Sequence, residues 1–327
     1  MSLNNKSVLI AGGAGYIGQV LTRQLSSQGW HVTVLDSFIH GRDLHSALSV
    51  VPGVEIIEGD IRDLDVVSKA LKNKEALVIL AALVGEKACD ISPHETFDVN
   101  YLAPIKLLKQ ASVQGVSRII FTSTDSCYGA REGEKLDEES SLAPLSTYAK
   151  LKAQVEEEFL QQSRHLPQII TILRLATVYG LSERIRFDLA VNLLVREAVL
   201  KKRAVIFSGL QWRPLVAVSD VARAFGLVLE AKAELVRSQV FNVGSNRQNV
   251  TFNTIGEILK NLVPEASIET VAADPDLRDY FVKFDKIASV LGFEALTEIP
   301  GGMRAVKEAL ENGFPADPYA RQWSNTP

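Results

Sequence analysis

The chain has 327 residues, 46% of them hydrophobic and 23% charged, with a formal net charge of −4. That length and apolar fraction can bury one large α/β unit or two closely joined ones, and they exclude fibrous and disordered classes. The near-balanced charge, densest in cations at Lys201, Lys202 and Arg203, argues against nucleic acid as a main partner.

The two cysteines, Cys89 and Cys127, supply neither a disulfide scaffold nor a metal site by themselves, which suits a reducing compartment. No run approaches the roughly 20 apolar residues of a membrane span, and the opening residues lack a signal-peptide pattern. The expectation is a cytoplasmic protein with no membrane partner.

Short runs rich in branched apolar residues recur at 7–11, 31–35, 54–58, 76–80, 118–122 and 169–173, separated by helix-sized segments. Runs of that length read as parallel strands buried on both faces, a Rossmann-type doubly wound sheet. Between the first two runs lies "GGAGYIG", in which Gly12, Gly15 and Gly18 end a strand and open a helix. Glycine there lets backbone amides approach a pyrophosphate at the positive end of the helix. Tyr16 and Ile17 sit inside the loop, and Asp36 closes the second strand eighteen positions after Gly18. A carboxylate at that point accepts the hydroxyl hydrogens of an adenosine ribose and repels a 2′-phosphate, so NAD is expected over NADP. Asp60 and Ile61 after the third strand, and Ala81 and Ala82 after the fourth, lie at the sheet edge where α/β folds bind ligands.

Further along, Pro93 follows Ser92 as a helix start, and Pro104 predicts a kink or break within residues 94–113. "FTSTDSCYG" follows the fifth strand, and Ser146 caps a helix predicted over 147–162. Tyr148 and Lys152 lie four apart and share one face of that helix. An ammonium beside a phenol favours the phenolate, which could take a proton from a sugar hydroxyl while hydride leaves the carbon. After residue 180 the rhythm changes. Helices are expected over 186–200, 219–230, 253–262, 285–291 and 303–311, with strands at 204–207 and 239–243. This divides the chain into 1–180, a dinucleotide domain with strands returning from later segments, and 181–327, a smaller interleaved α/β substrate domain.

With "GGAGYIG", Asp36, "STDSCYG", "YAKLK", "LRLATVYG", "QWRPLVAVSDVARA", "FNVGS" and "DLRDYFVKFDKIASVLGF" in this order, the chain resembles an extended short-chain dehydrogenase/reductase of the nucleotide-sugar epimerase/dehydratase type over essentially its full length. The resemblance implies that Thr124 completes a catalytic triad with Tyr148 and Lys152, that Asn100 supports the active-site helix, and that Thr177, Val178 and Tyr179 lie near the nicotinamide. It places Asn192, Arg213 and Arg278 around the diphosphate of a nucleotide-sugar substrate. Arg184 and Arg186 flank the helix leading to Asn192 and are further candidates for that diphosphate.

Dehydratases of the family carry Asp-Glu after the catalytic threonine, whereas this chain has Asp125 and Ser126. The missing base disfavours a 4,6-dehydratase and leaves Asp125 and Ser126 as sugar-binding candidates. Cys127 is expected to be a packed thiol. A 4-epimerase returns the hydride it removes and gains from keeping NAD bound, which fits Asp36 better than an NADPH-using reductase. An NAD-dependent 4-dehydrogenase, a dehydratase and a non-catalytic dinucleotide sensor are the alternatives. The helical patterns at 94–113 and 146–162 resemble those that pair in family homodimers.

Overall fold

The computed structural model describes residues 6–131, 133–272 and 279–325. The first half runs β1 (Ser7–Ala11), α1 (Tyr16–Ser27), β2 (His31–Asp36), α2 (Asp43–Ser49), β3 (Val54–Glu58), α3 (Leu64–Leu71) and β4 (Ala76–Ile79). It continues through α4 (Glu86–Ile91), α5 (Pro93–Phe97), a π turn (Asp98–Leu102), α6 (Ala103–Val113), β5 (Arg118–Thr124), β6 (Lys135–Leu136), α7 (Thr147–Ser163) and β7 (Ile169–Leu175). The second half runs β8 (Thr177–Tyr179), α8 (Ala190–Lys201), β9 (Arg203–Phe207), β10 (Trp212–Ala217), α9 (Val218–Glu230), α10 (Ala233–Val236) and β11 (Gln239–Val243). It closes with β12 (Asn249–Thr251), α11 (Phe252–Leu262), β13 (Ser267–Val271), β14 (Phe281–Val282), α12 (Asp285–Leu291) and α13 (Ile299–Glu311).

Seven strands form one parallel sheet in the order β11-β7-β5-β4-β1-β2-β3, and β11 enters it from the second half of the chain. Alternation along each strand splits the core. Val8 and Ile10 face Leu21, Leu25 and Phe225 on one side, while Leu9 and Ala11 join Leu71, Leu107 and Phe159 on the other. Because helices cover both faces, β4, β5 and β7 are buried along their whole length. Each large apolar side chain so buried contributes roughly 1.5–3 kcal/mol. The remaining strands build β12-β10-β8 and the pairs β13-β9 and β14-β6. A separate apolar cluster, including Phe187, Val195, Ile255 and Met303, holds α8, α11 and α13 together.

The strand order turns back at β1 and β4, so the loops after them diverge and leave a crevice at the carboxyl edge. Caps fix the helices that border it. Ser146 accepts a bond from the Ala149 amide at 3.3 Å, whereas Ser92 precedes Pro93 without a side-chain cap. The break expected near Pro104 is a π turn that ends two residues before it, the usual way a helix absorbs an extra residue. The helix expected from residue 186 begins at Ala190, because Arg186 and Asp188 form an ion pair at 2.6 Å in the loop before it. Strands β5 and β7 each run two residues beyond their apolar signal, carrying Thr124 and Leu175 to the crevice. Among the described residues, no helix is long and apolar enough to cross a membrane.

Candidate active site

A cavity of about 570 Å³ occupies the crevice and runs from the loops after β1, β2 and β3 to the start of α7. At its first end, Gly12 has φ +85°, and a Cβ built there would stand 2.5 Å from the Ala81 amide nitrogen. A Cβ on Gly18 would meet the Gly12 carbonyl at 2.5 Å. Both glycines are therefore required by close backbone packing. Gly15 opens α1 without a side-chain cap, which leaves the first amides of the helix for an anion. The Asp36 carboxylate accepts bonds from the amides of Ala14 and Phe38, both at 2.9 Å. Burial raises its pKa and the amide bonds pull it back. They also aim the carboxylate into the cavity, with lone pairs remaining for ribose hydroxyls. These features fit a dinucleotide such as NAD: a pyrophosphate cradle that a side chain would fill, and a fixed ribose acceptor.

At the other end, Thr124, Asp125, Ser126, Tyr148 and Lys152 line the same cavity. The Thr124 hydroxyl accepts from the Ser126 amide at 3.2 Å, so its hydrogen remains to be donated. The Lys152 ammonium donates to the Thr122 carbonyl at 2.8 Å and lies 4.7 Å from the Phe121 ring centre and 5.8 Å from that of Tyr148. Burial pushes Lys152 down to about 8, with nearby acids and thiols opposing. Burial likewise pushes the Tyr148 phenol above its ordinary range. Desolvation thus dominates at the phenol, with the charge of Arg186 opposing it. Behind the site, Arg174 and Glu156 form a buried ion pair at 2.7 Å, and Glu156 also accepts from Ser123. Arg174 reaches on to Tyr128 at 3.0 Å, and Tyr128 to Asn242 at 2.8 Å, which locks α7 to β5, β7 and β11.

A single cavity thus joins a glycine-cradled anion site, a ribose acceptor and a Thr-Tyr-Lys group. The model of the NAD dependent epimerase/dehydratase family matches residues 8–244. The chain belongs to that family. A UDP-glucose 4-epimerase of Lactobacillus helveticus is 30% identical over 73% of this chain and 76% of its own length. Among solved structures, MoeE5 in complex with UDP-glucuronic acid and NAD is 27% identical, with a TM-score of 0.83, over 94% of this chain and all of its own. DesIV, a dTDP-glucose 4,6-dehydratase from Streptomyces venezuelae with NAD and TYD bound, is 26% identical, with a TM-score of 0.83, over 94% of this chain and 98% of its own. As a family member the chain is an NAD-dependent enzyme.

The other residues singled out in the sequence fall into three groups. Tyr16, Ile17, Asp60, Ile61, Ala81, Ala82, Thr177 and Val178 line the cavity, as do Arg184 and Arg186. Arg184 bonds Asn325 at 2.5 Å, and its charge acts on Asp36 and His40 at the dinucleotide end. Arg186 is paired to Asp188 and acts on Tyr16, His40 and Tyr148.

Asn100, Asn192, Arg213 and Tyr179 do not line the cavity. The Asn100 amide brackets Leu83, accepting from its N–H and donating to its C=O, both at 2.8 Å, so it braces the loop after β4 while its π turn packs against α7. Asn192 is fully buried and bonded to Gly180, Arg186 and Tyr16. Arg213 donates to the Trp212 carbonyl at 2.8 Å and lies over the rings of Phe252 and Tyr280. Tyr179 turns instead into the other half, bonding Gln248 and the Thr297 carbonyl. Arg278 lies outside the described residues.

Tyr280 carries no signal of its own in the sequence, yet its hydroxyl donates to Asp125 at 3.2 Å and orients that carboxylate. No motif marks it beyond its place in "DLRDYF". His40, Asp188 and Asn325 also line the cavity from loops without a periodic signal. The Cys127 thiol is buried, donates to the Ala149 carbonyl at 3.4 Å, and is pushed up to about 12 by burial, which makes it a packed group.

Proposed function

We propose that the protein is an NAD-dependent nucleotide-sugar 4-epimerase. The observation that carries the reading is the placement of Thr124, Tyr148 and Lys152 in one cavity with the Gly12–Gly18 cradle and Asp36, beside an Asp125 that has Ser126 rather than a second carboxylate next to it. Bound NAD supplies a hydride acceptor and a positive ring that favours the phenolate of Tyr148. Tyr148 takes the proton of the sugar 4-hydroxyl and later returns it. Thr124 donates a hydrogen bond to the same oxygen, and Lys152 holds the nicotinamide ribose while its charge offsets that of the phenolate. Asp125, fixed by Tyr280, binds a sugar hydroxyl, and the cavity retains the keto-sugar while it turns over.

The segment 180–188 supports a captive cofactor. Tyr16 donates to the Gly180 carbonyl at 2.7 Å, and Ser182 donates to the Tyr16 carbonyl at 2.7 Å, strapping this segment to the first turn of α1. A retained NAD suits a redox-neutral reaction better than a 4-dehydrogenase, which must exchange it. UDP-sugars are the first substrates to test, because the relatives named for a substrate act mainly on them. The protein works in carbohydrate biosynthesis in the cytoplasm. It assembles as a homodimer through α6 and α7, beside which Phe97 and Tyr101 stack at 5.1 Å with Phe97 still exposed.

The test is to denature desalted protein, count the released dinucleotide, and incubate the enzyme with UDP-, GDP-, CDP- and dTDP-hexoses. Near-stoichiometric NAD and interconversion of 4-epimers without net NADH are expected. Free exchange of cofactor with accumulating NADH and keto-sugar would replace the epimerase with a dehydrogenase.

A further inference from the structure

The segment 180–188 leads from the first half of the chain into the second, yet it crosses back over the helix that begins the first. Three ties fix the crossing: Tyr16 to the Gly180 carbonyl, Ser182 to the Tyr16 carbonyl, and Arg23 to Glu183 at 3.7 Å. Arg184, next in line, is only 1% exposed and lines the cavity shared with Gly12, Gly15 and Asp36. One Nη donates to Asn325 at 2.5 Å, and Nε has no partner among the described residues. A buried guanidinium with an unmet donor needs an acceptor, and an anion supplies one best. The cavity that Arg184 lines also holds a feature made for an anion, the uncapped start of α1 behind Gly15.

We infer that Arg184 is a phosphate-binding residue of the cofactor site, closing the dinucleotide pyrophosphate against the first turn of α1 from the opposite domain. The inference rests on the NAD reading of the cavity. It reassigns Arg184 from the substrate diphosphate suggested by sequence position to the cofactor, and it gives the strap a chemical purpose. Its surroundings agree: beside burial, the Arg184 charge favours ionised Asp36 and helps push His40 down to about 4, so the guanidinium stands at the adenosine side. Glycine amides and helix dipole hold one face of the pyrophosphate, and the guanidinium fork holds the other.

Calorimetric titration of the full chain, freed of bound nucleotide, with adenosine, ADP-ribose and UDP separates the possibilities. In Arg184→Met, ADP-ribose is expected to bind about thirtyfold more weakly, the size of a lost charge-assisted hydrogen bond, with adenosine and UDP unchanged. Unchanged ADP-ribose binding overturns the inference alone, as does a loss confined to UDP, which would return Arg184 to the substrate. Equal loss of adenosine and ADP-ribose also overturns it, because the residue would then only support the fold. A wild type that binds neither adenosine nor ADP-ribose removes the NAD reading and the inference together. Should the Met variant not fold, Arg184→Lys keeps the charge and loses the fork. A loss of about fivefold confined to ADP-ribose then supports the inference, and no loss overturns it.

Discussion

The two ends of the cavity are built differently. The dinucleotide end is mostly backbone: glycine carbonyls and amides, the start of α1, and an Asp36 held by two main-chain N–H groups. The substrate end is mostly side chains delivered by separate segments: Thr124 from the end of β5, Asp125 from the turn after it, Tyr148 and Lys152 from α7, and Tyr280 from just before β14. A backbone site tolerates almost no change in residue type at its glycines. A side-chain site tolerates change in steps, each with its own cost.

The largest expected effect falls at the side-chain end. Tyr148→Phe removes the proposed proton carrier without touching the cradle, so turnover should drop about a thousandfold while the protein still retains NAD. A variant that keeps near-normal turnover would transfer the chemistry to another group. At the backbone end, Gly12→Ala puts a methyl 2.5 Å from the Ala81 nitrogen at a φ of +85°. NAD affinity should fall about a hundredfold, read as the dinucleotide recovered after desalting; retention of a full complement would show that the loop can yield.

How much of each end could be read in the sequence follows from this difference. Backbone sites leave a spacing: Gly12, Gly15, Gly18 and Asp36 point to one ligand because turn, helix start and strand end lie at fixed offsets. Tyr148 and Lys152 were legible for the same reason, being one helical turn apart. The doubly wound sheet was legible from runs buried on both faces. The three-stranded sheet was not, because Thr177–Tyr179 and Asn249–Thr251 are too short to show a period. Asn192 and Tyr280 show the limit best. Each is polar and near a motif, yet what each side chain holds is decided by the tertiary partners Gly180 and Asp125, which lie in other segments.

Lys152 joins the two ends and tests the electrostatic description. Its folded pKa, about 8, lies below the ordinary lysine value, so the unfolded chain binds a proton that the folded chain has released between about pH 8 and 10.4. Burying the charge costs stability below pH 8, and that cost fades as pH rises through this window. Lys152→Met should therefore gain stability relative to wild type at pH 7 by roughly 2 kcal/mol more than at pH 10. Urea unfolding at the two pH values measures the difference. A difference independent of pH would mean that the buried amine titrates normally.

The smallest effect belongs to Tyr280. Its hydroxyl gives Asp125 one hydrogen bond of 3.2 Å, between neutral donor and buried carboxylate. In Tyr280→Phe the ring that lies beside Arg213 remains, so packing is conserved and the carboxylate loses one of its orienting contacts. That loss is worth about 1 kcal/mol, or roughly fivefold in kcat/KM. With Asp125 in its proposed role of binding sugar and not cofactor, NAD retention should be unchanged, and the loss should fall mainly on KM. A variant that instead releases NAD would couple the two ends through β5 and show that the cavity's backbone half depends on its side-chain half.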